Sequence, residues 1–158
     1  MQFNTEIFSL FDKKWALLCA GTKDAYNAMT IAWGGLGTLW CRPVATVYVR
    51  PSRYTYQFME ENEYFTVSFY PEKNRQDLLT MGTVSGRDGD KIAKTTLTPK
   101  PLENAVTFAQ AEVTLLCRKL YCQDLDLDAM PADVVEEFYK EEPVSRMYVG
   151  EVVEIIEK

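Results

Sequence analysis

The sequence predicts a mainly β domain, a small closed or partly closed antiparallel barrel with a few short helices. Short runs rich in β-branched and aromatic residues, such as residues 44–49 and 64–70, outnumber the helical segments. The helical segments do not alternate regularly with the strands, as they do in a doubly wound α/β fold. The length of 158 residues is that of about one domain, and neither a repeat nor a linker interrupts it. We therefore expect residues 1–158 to form a single domain.

The predicted strands are bounded by glycine, proline and turn residues. An apolar run ends at Gly21, and residues 23–27 are predicted to form a turn. The second strand should stop at the glycine-rich residues 34–37, and Pro71 breaks the fourth. The six strands are predicted at residues 15–20, 29–33, 44–49, 64–70, 109–121 and 147–156.

Three short helices are predicted between the strands. They lie at residues 53–61, 72–81 and 131–139, and the third is acidic. Ser52 fits the N-cap of the first helix, and Asn62 and Gly82 fit the ends of the first and second. Residues 83–91 are predicted to form a polar loop that contains glycine.

Charge and composition exclude several classes of protein. The chain has 17 basic and 23 acidic residues, and a net charge of −6 argues against nucleic acid as the main ligand. It has no histidine, which removes Ser-His-Asp and Cys-His catalysis and every zinc site with an imidazole ligand. No apolar run approaches the ~20 residues of a membrane-spanning helix. Residues 1–11 lack the basic start and apolar core of a signal peptide. We therefore expect a cytoplasmic protein.

The four cysteines, Cys19, Cys41, Cys117 and Cys122, do not have the spacing of a zinc or redox motif. We expect them to be reduced and mostly buried in the core. Cys117 and Cys122 are an odd number of residues apart in one predicted strand, so they should point to opposite faces. Arg42 next to Cys41 is a cation that could lower the pKa of its thiol, but a structural role is the favoured interpretation.

The charges are unevenly distributed along the chain. Residues 25–59 contain no acidic residue but include Arg42, Arg50 and Arg53, whereas the last 36 residues hold 11 acidic ones. A cationic window in an acidic protein is a candidate anion site. Chance clustering, or a buried segment that excludes acids, explains the window equally well at this stage.

Two short segments within this window are candidates for ligand binding. Residues 50–55 run from a strand end into a helix start, where free N–H groups, arginine and hydroxyl side chains favour a phosphate. The alternative is an ordinary helix cap with two solvated arginines. Residues 27–30 enter a strand from a turn and would offer backbone donors and acceptors to a flat polar ring. By themselves they are more typical of an ordinary turn than of a binding site.

Two further segments do not match the metal or phosphate motifs that they resemble. Residues 85–91 lack the Gly-Lys-Ser/Thr end of a P-loop. Residues 124–128 are not an EF-hand loop, because Ala129 replaces the required glycine and Val135 stands where the bidentate glutamate belongs. The acidic run is better interpreted as a solvated loop.

Taken in order, several motifs resemble one family. They are residues 27–35, residues 43–55, residues 85–91, and the later residues 117–121 and 146–151. This ordered set resembles the flavin reductase-like, FMN-binding split-barrel family, and within it the flavoredoxin group. The resemblance implies a mainly β fold, a six-stranded antiparallel split β-barrel, that forms a homodimer with one FMN per subunit near the interface.

The resemblance also implies a set of cofactor-binding residues. Those from Asn27 to Thr30 would line the isoalloxazine ring, and Arg50, Ser52, Arg53 and Thr55 would hold the phosphate. A glycine-containing loop with Ser85, Gly86, Asp88 and Lys91 would close over the flavin. The full set is Asn27, Ala28, Met29, Thr30, Trp33, Arg50, Pro51, Ser52, Arg53, Tyr54, Thr55, Ser85, Gly86, Asp88 and Lys91.

The function implied is that of an FMN-dependent oxidoreductase moving electrons from NADH or NADPH to a flavin or protein acceptor. One alternative is a flavoredoxin-type electron carrier, reduced by a redox-protein partner that docks on the acidic late segment. Another is a flavin-binding module without turnover. Many relatives carry a histidine where this chain has Ser145. The use of a nicotinamide donor is therefore the open part of this prediction.

Overall fold

A computed structural model describes residues 6–158 of the protein. The first five residues, part of the segment predicted not to be a signal peptide, lie outside the described residues. The elements in chain order are α1 (Glu6–Asp12), β1 (Ala16–Thr22), β2 (Ala25–Ile31), β3 (Gly34–Leu39), β4 (Arg42–Val49), α2 (Thr55–Glu61), β5 (Tyr64–Phe69), α3 (Arg75–Thr83), β6 (Pro99–Pro101), β7 (Val106–Phe108), β8 (Val113–Asp124), α4 (Ala132–Phe138) and β9 (Arg146–Glu157). Short 3-10 turns join several of them.

Seven strands form one antiparallel sheet in the order β2-β1-β5-β8-β9-β4-β3. Buried side chains from six of these strands, for example Leu18, Met29, Val47, Phe65 and Tyr148, meet in one core. A flat sheet could not bring strands from both of its halves into one core, so the sheet curls around it. Strands β6 and β7 form a separate two-stranded sheet. The predicted antiparallel, mainly β architecture is confirmed, with seven strands in the main sheet rather than six.

Strand β1 is buried on both faces because a second core lies behind it. Its alternate residues Leu17 and Cys19 pack with Leu78 and Met81 of α3 and with Phe108 of β7. Each such buried side chain stabilises the fold by about 1.5–3 kcal/mol relative to an exposed one. These contacts hold α3 beside β1 and β2.

Two strand predictions are wrong near the glycines. Residues 25–27 belong to β2 rather than to a turn, because Thr22 pairs with Ala25 and only two residues are left for the hairpin loop. Residues 34–37 do not end a strand but form most of β3, which pairs with β4. Glycine is needed at Gly34 because a Cβ there would lie 2.6 Å from the ring of Phe11 in α1. Gly34 therefore reflects close packing against Phe11 rather than a break in the strand.

The first helix prediction is correct at its end and wrong at its start. Asn62 is the C-cap of α2, and its side-chain amide donates to the carbonyl oxygen of Phe58 at 2.9 Å. Ser52 is not the N-cap, because Tyr54 occupies that position without a side-chain capping bond. A turn precedes the helix instead, with the N–H of Arg53 bonded to the carbonyl of Arg50 at 3.0 Å.

Helix α3 runs through Gly82 and ends at Thr83, so the prediction that Gly82 stops it is wrong. A 3-10 turn over Glu72–Asn74 precedes it. A Cβ at Gly82 would lie 3.1 Å from the Cβ of Thr30, so the glycine lets α3 approach β2 closely. This approach sets the position of the end of α3 beside the strand.

The long strand β8 starts at Val113, four residues later than predicted, because residues before it turn back onto β7. Its pairing with β9 shifts register between Lys119 and Tyr121. The prediction that Cys117 and Cys122 point to opposite faces of the strand is wrong. Because the register shifts between them, both side chains contact the main core. All four cysteines are free, and Cys41 is exposed rather than buried.

Among residues 6–158, no helix is long and apolar enough to cross a membrane. The same residues contain no cluster of three or more side chains suited to a metal ion.

Candidate functional site

Two adjoining cavities open between β2, the start of α2 and the end of α3. The first, here called the cationic cavity, has a volume of about 270 Å³ and is lined by residues that include Ser52, Arg53, Arg87 and Lys91. The second, the aromatic cavity, has a volume of about 280 Å³ and is lined in part by Trp33 and Tyr48. Both are lined by Met29, Arg53 and Gly82, so they form one continuous cleft.

The cationic cavity brings three positive side chains together with several hydroxyl groups. Arg53, Arg87 and Lys91 line it, and no acidic residue is among the described residues of its wall. The serine and threonine hydroxyls in the wall are those of Ser52, Thr55, Thr83 and Ser85. The guanidinium of Arg53 donates to the carbonyl oxygen of Gly82 at 3.1 Å, and that of Arg87 to the carbonyl oxygen of Ser52 at 2.9 Å. Backbone carbonyls thus position both guanidinium groups without cancelling their charge. The cavity is suited to an anion with several oxygens.

Lys91 is buried, with only 4% of its surface exposed, although lysine is almost never fully buried unless paired. Its ammonium group donates to the carbonyl oxygen of Met81 at 2.9 Å. The pKa of Lys91 is lowered to about 8, mainly by burial and in smaller part by the nearby Arg53, while Cys19 acts in the opposite direction. An anion in the cavity would stabilise the charged form of this amine.

The glycine-containing loop lies directly on β2 and α2. The amide of Asn27 in β2 donates to the hydroxyl of Thr55 in α2 at 2.8 Å, and both groups are buried. A Cβ at Gly86 would lie 2.3 Å from the Asn27 side-chain oxygen and 2.7 Å from the ring of Tyr54. Only glycine allows the loop to pass this close. The guanidinium of Arg87 lies 5.3 Å from the centre of the same Tyr54 ring.

The aromatic cavity lies along an edge strand. Strand β2 is at one end of the sheet and pairs only with β1, so backbone groups on its outer side are not used by another strand of the sheet. Thr30 and Trp33 line the cavity beside that edge, and Trp33 is 42% exposed. A slot with free backbone groups and an aromatic side chain suits a flat ring that carries polar atoms at its edge.

Arg50 is placed in the aromatic cavity and is tied to the late acidic part of the chain. Its guanidinium lies 3.3 Å from the carboxylate of Glu142 and donates to the carbonyl oxygen of Phe138 at 3.0 Å. It also lies 5.6 Å from the ring centre of Trp33 and 5.1 Å from that of Tyr139. The structure therefore does not bring Arg50 into the cationic cavity with Ser52 and Thr55.

Most predicted site residues line this cleft. They are Asn27, Met29, Thr30, Trp33, Arg50, Ser52, Arg53, Tyr54, Thr55, Ser85, Gly86 and Lys91. Pro51 and Asp88 line neither cavity. Ala28 faces the second core, because successive residues of β2 point to opposite sides.

Sequence reasoning did not select Arg87, Tyr48 or Gly82, which also line the cleft. Arg87 belongs to the motif at residues 85–91 and could have been chosen for its charge. No local signal singles out Tyr48, whose place depends on how β4 packs across the sheet.

The family model for the flavin reductase like domain matches residues 8–157, nearly the whole chain. The chain belongs to this family. Solved structures with the same fold include a flavoredoxin from Methanosarcina acetivorans, with 22% identity and a TM-score of 0.72 over 100% of this chain and 75% of that one. Another is an FMN-binding domain of a flavin reductase-like enzyme from Shewanella baltica, with 17% identity and a TM-score of 0.68 over 95% and 72%. A third is an NADH:FAD oxidoreductase from Streptomyces globisporus, with 14% identity and a TM-score of 0.67 over 92% and 75%.

No curated protein sequence matches the chain. The flavin reductase-like family and the structures that share its fold confirm the mainly β split-barrel class predicted from the sequence.

Proposed function

We propose that the cleft binds FMN, with the phosphate in the cationic cavity and the isoalloxazine ring in the aromatic cavity. The main evidence is the cluster of Arg53, Arg87 and Lys91 in the wall of the cationic cavity. No acidic residue is among the described residues of that wall. Membership of the flavin reductase-like family and the fold shared with an FMN-binding domain support the same ligand.

The residues present fit both ends of this ligand. The cations and the hydroxyl groups of the cationic cavity can donate to several oxygens of a phosphate. The outer edge of β2 and the side chain of Trp33 offer hydrogen-bonding groups and a stacking surface for the ring. Together the two cavities reach the size typical of a small-molecule site, which starts at about 300 Å³.

The activity that fits this site is that of an FMN-dependent oxidoreductase. FMN, when bound, supplies hydride and electron transfer, so the protein needs no nucleophile of its own. The residues of this chain would bind FMN and orient it. Arg53, Arg87 and Lys91 hold the phosphate, the Asn27–Thr55 hydrogen bond fixes β2 against α2, and Trp33 shields the ring end from water.

NADH or NADPH is the proposed electron donor, and a flavin or a protein is the proposed acceptor. The shared fold with an NADH:FAD oxidoreductase supports a nicotinamide donor. Ser145, which stands where many relatives carry histidine, is buried and its hydroxyl lies 3.0 Å from that of Tyr139. This position therefore offers a pair of hydroxyl groups, rather than an imidazole, as a proton donor.

The visible spectrum of the purified protein, before and after incubation with FMN, tests the proposal. We expect flavin absorption bands that remain after gel filtration and bleach when NADH or NADPH is added without oxygen. A protein that retains no flavin would contradict the proposed ligand. Flavin bands that bleach with dithionite but with neither nicotinamide would refute the reductase and leave an electron carrier or a flavin-binding module without turnover.

The electron carrier is the second candidate, because of the acidic segment at residues 124–142. This segment holds eight acidic residues and one basic residue, Lys140. Such a surface suits a redox-protein donor with a basic face, and association should slow as salt rises. Stopped-flow measurement of the rate of reduction by a basic redox protein, at low and at high salt, tests this salt dependence. Rates that do not change with salt would contradict docking on the acidic segment.

We also propose a homodimer with the flavin near the interface. Trp40 is 58% exposed and lines neither cavity of the cleft, and aromatic side chains are enriched at protein interfaces. Light scattering coupled to gel filtration is expected to give twice the chain mass of 18.1 kDa. A mass equal to one chain at micromolar concentration would contradict the dimer.

A further inference from the structure

A third cavity adjoins the cleft at Trp33, which lines both. It has a volume of about 480 Å³, within the ~300–1,000 Å³ of small-molecule sites. Its wall comes from Trp33 and from the segment that joins β8 to β9, including Leu125, Met130, Val134 and Phe138. We call it the apolar cavity. Trp33 lines both this cavity and the aromatic cavity, so a molecule bound here would lie next to the proposed ring site.

The walls of the apolar cavity favour a flat aromatic molecule. Trp33 and Phe138 meet edge to face, with ring centres 5.6 Å apart and an angle of 90° between their planes. Two rings at a right angle form a corner in which a third ring can stack on one and contact the edge of the other. Met130 adds a flexible side chain that adapts to irregular aromatic surfaces.

The charges around the apolar cavity disfavour an anion. Its only charged lining residue among those described is Asp126, whose carboxylate accepts the N–H of Asp128 at 2.9 Å. The cation that lies against Trp33 is Arg50, and it is paired with Glu142. Lys140 is likewise paired with Glu136, at 2.9 Å. A negatively charged ligand would therefore meet carboxylates and no free cation in the part of the chain that lines this cavity.

We propose that the apolar cavity is a second binding site, separate from the flavin cleft, for a neutral planar aromatic compound of about two fused rings. Nothing in the binding of flavin requires such a site. Phe138 and Val134 set its shape, and the acidic segment at residues 124–142 selects against anionic compounds such as dinucleotides.

A matched pair of probes tests both the site and its charge selectivity. Equilibrium dialysis of the whole protein with 2-naphthol, which is neutral at pH 7, and with 2-naphthalenesulfonate, which is an anion, compares the two affinities. We expect saturable binding of 2-naphthol at least about tenfold tighter than that of the sulfonate, which is about 1.4 kcal/mol. Equal affinities, or no saturable binding of 2-naphthol, would overturn the proposal.

Substitutions test whether 2-naphthol binds in the apolar cavity. Val134→Asp places a carboxylate in the cavity wall and is expected to weaken 2-naphthol binding at least about tenfold. Val153→Asp makes the same change at an exposed valine of β9 outside the cavity and should leave the affinity unchanged. Phe138→Leu keeps an apolar side chain, and therefore the fold of α4, but should still weaken binding severalfold. Unchanged affinity in both Val134→Asp and Phe138→Leu would overturn the proposal.

Flavin retention, measured on the same variants by absorbance, separates this proposal from the proposed function. We expect Val134→Asp to retain flavin as the unmodified protein does while losing 2-naphthol. The dialysis is run on flavin-free protein as well as on flavin-loaded protein. Binding of 2-naphthol to a protein that takes up no flavin would support the apolar site and contradict only the flavin cleft.

Discussion

The guanidinium of Arg50, which follows β4, lies 3.3 Å from the carboxylate of Glu142 in the acidic segment before β9. Because of this ion pair, Arg50 and Arg53 differ in their partners although they are close in sequence. Arg50 is neutralised by an acidic side chain, whereas Arg53 is positioned by the carbonyl oxygen of Gly82. Arg53 therefore keeps its charge for a ligand in the cationic cavity.

Arg53→Ala is expected to weaken FMN binding about tenfold or more, because it removes a charge-assisted hydrogen-bond donor from the phosphate, worth about 1.5–3 kcal/mol. Fluorescence titration of flavin-free protein measures the dissociation constant. Arg42→Ala is the matched control, because Arg42 pairs with Glu151 on the surface and lines neither cavity. Equal losses in the two variants would contradict the assignment of the phosphate site.

Gly86→Ala is expected to lower FMN affinity without unfolding the protein. The added Cβ would lie 2.3 Å from the Asn27 side-chain oxygen, so the loop that carries Arg87 and Lys91 has to move away from β2. Gly35→Ala is the control, because no atom lies within 4 Å of a Cβ at that position. Thermal melts and flavin titrations of both variants test this. Wild-type flavin affinity in Gly86→Ala would show that the loop does not contribute to the site.

Lys91 should make anion binding dependent on pH. Its pKa in the free protein is lowered to about 8 by burial, with Arg53 adding to the effect and Cys19 opposing it, and a bound phosphate should raise it. Binding above pH 8 then takes up a proton, so the affinity for FMN falls as pH rises, by at most about tenfold per pH unit. Below pH 8 the lysine is already charged and contributes no pH dependence.

Titrations of FMN from pH 7 to 9.5 measure this dependence, and calorimetry in buffers of different ionisation enthalpy measures the proton uptake. The phosphate itself does not interfere, since its second pKa is about 6. In Lys91→Met we expect weaker binding below pH 8 and a flatter profile above it. A profile in Lys91→Met that falls as steeply as in the unmodified protein would contradict the role of this amine.

Asp77→Asn is expected to destabilise the fold by about 1–3 kcal/mol at pH 7, because it weakens a buried hydrogen-bond cluster. The carboxylate of Asp77 accepts bonds from the N–H and hydroxyl of Thr96, at 3.0 and 2.5 Å, and from the Asn74 amide at 2.9 Å. Burial would raise the pKa of Asp77, but these hydrogen bonds outweigh it and lower the pKa below its usual value.

The stability that comes from a lowered carboxyl pKa is present above the unfolded value, about 3.9, and is lost as pH falls through the folded value. Urea unfolding at pH 7 and at pH 3 should therefore show a smaller loss of stability on acidification in Asp77→Asn than in the unmodified protein. Asp24→Asn, at an exposed turn, is the control and should follow the unmodified protein. Parallel acid profiles for all three proteins would contradict the role of Asp77.

Local patterns were sufficient for the parts of the fold that depend on neighbours in sequence. The runs of β-branched and aromatic residues at 44–49 and 64–70 predicted β4 and β5, and Asn62 predicted the end of α2. Patterns failed where a distant contact overrides a local preference. Gly34 was predicted to end a strand, yet it begins β3, because it pairs with Val47 of β4, and the ring of Phe11 packs against it.

For the site, the sequence by itself determined the cationic window, the loop motif and the family resemblance, because these depend only on residue types and their order. The tertiary structure alone decided which cations share a cavity. It pairs Arg50 with Glu142, buries Lys91 beside Met81, and turns Ala28 away from the cleft into the second core. Charge pairing and burial depend on distances across the folded chain, and no local propensity encodes those distances.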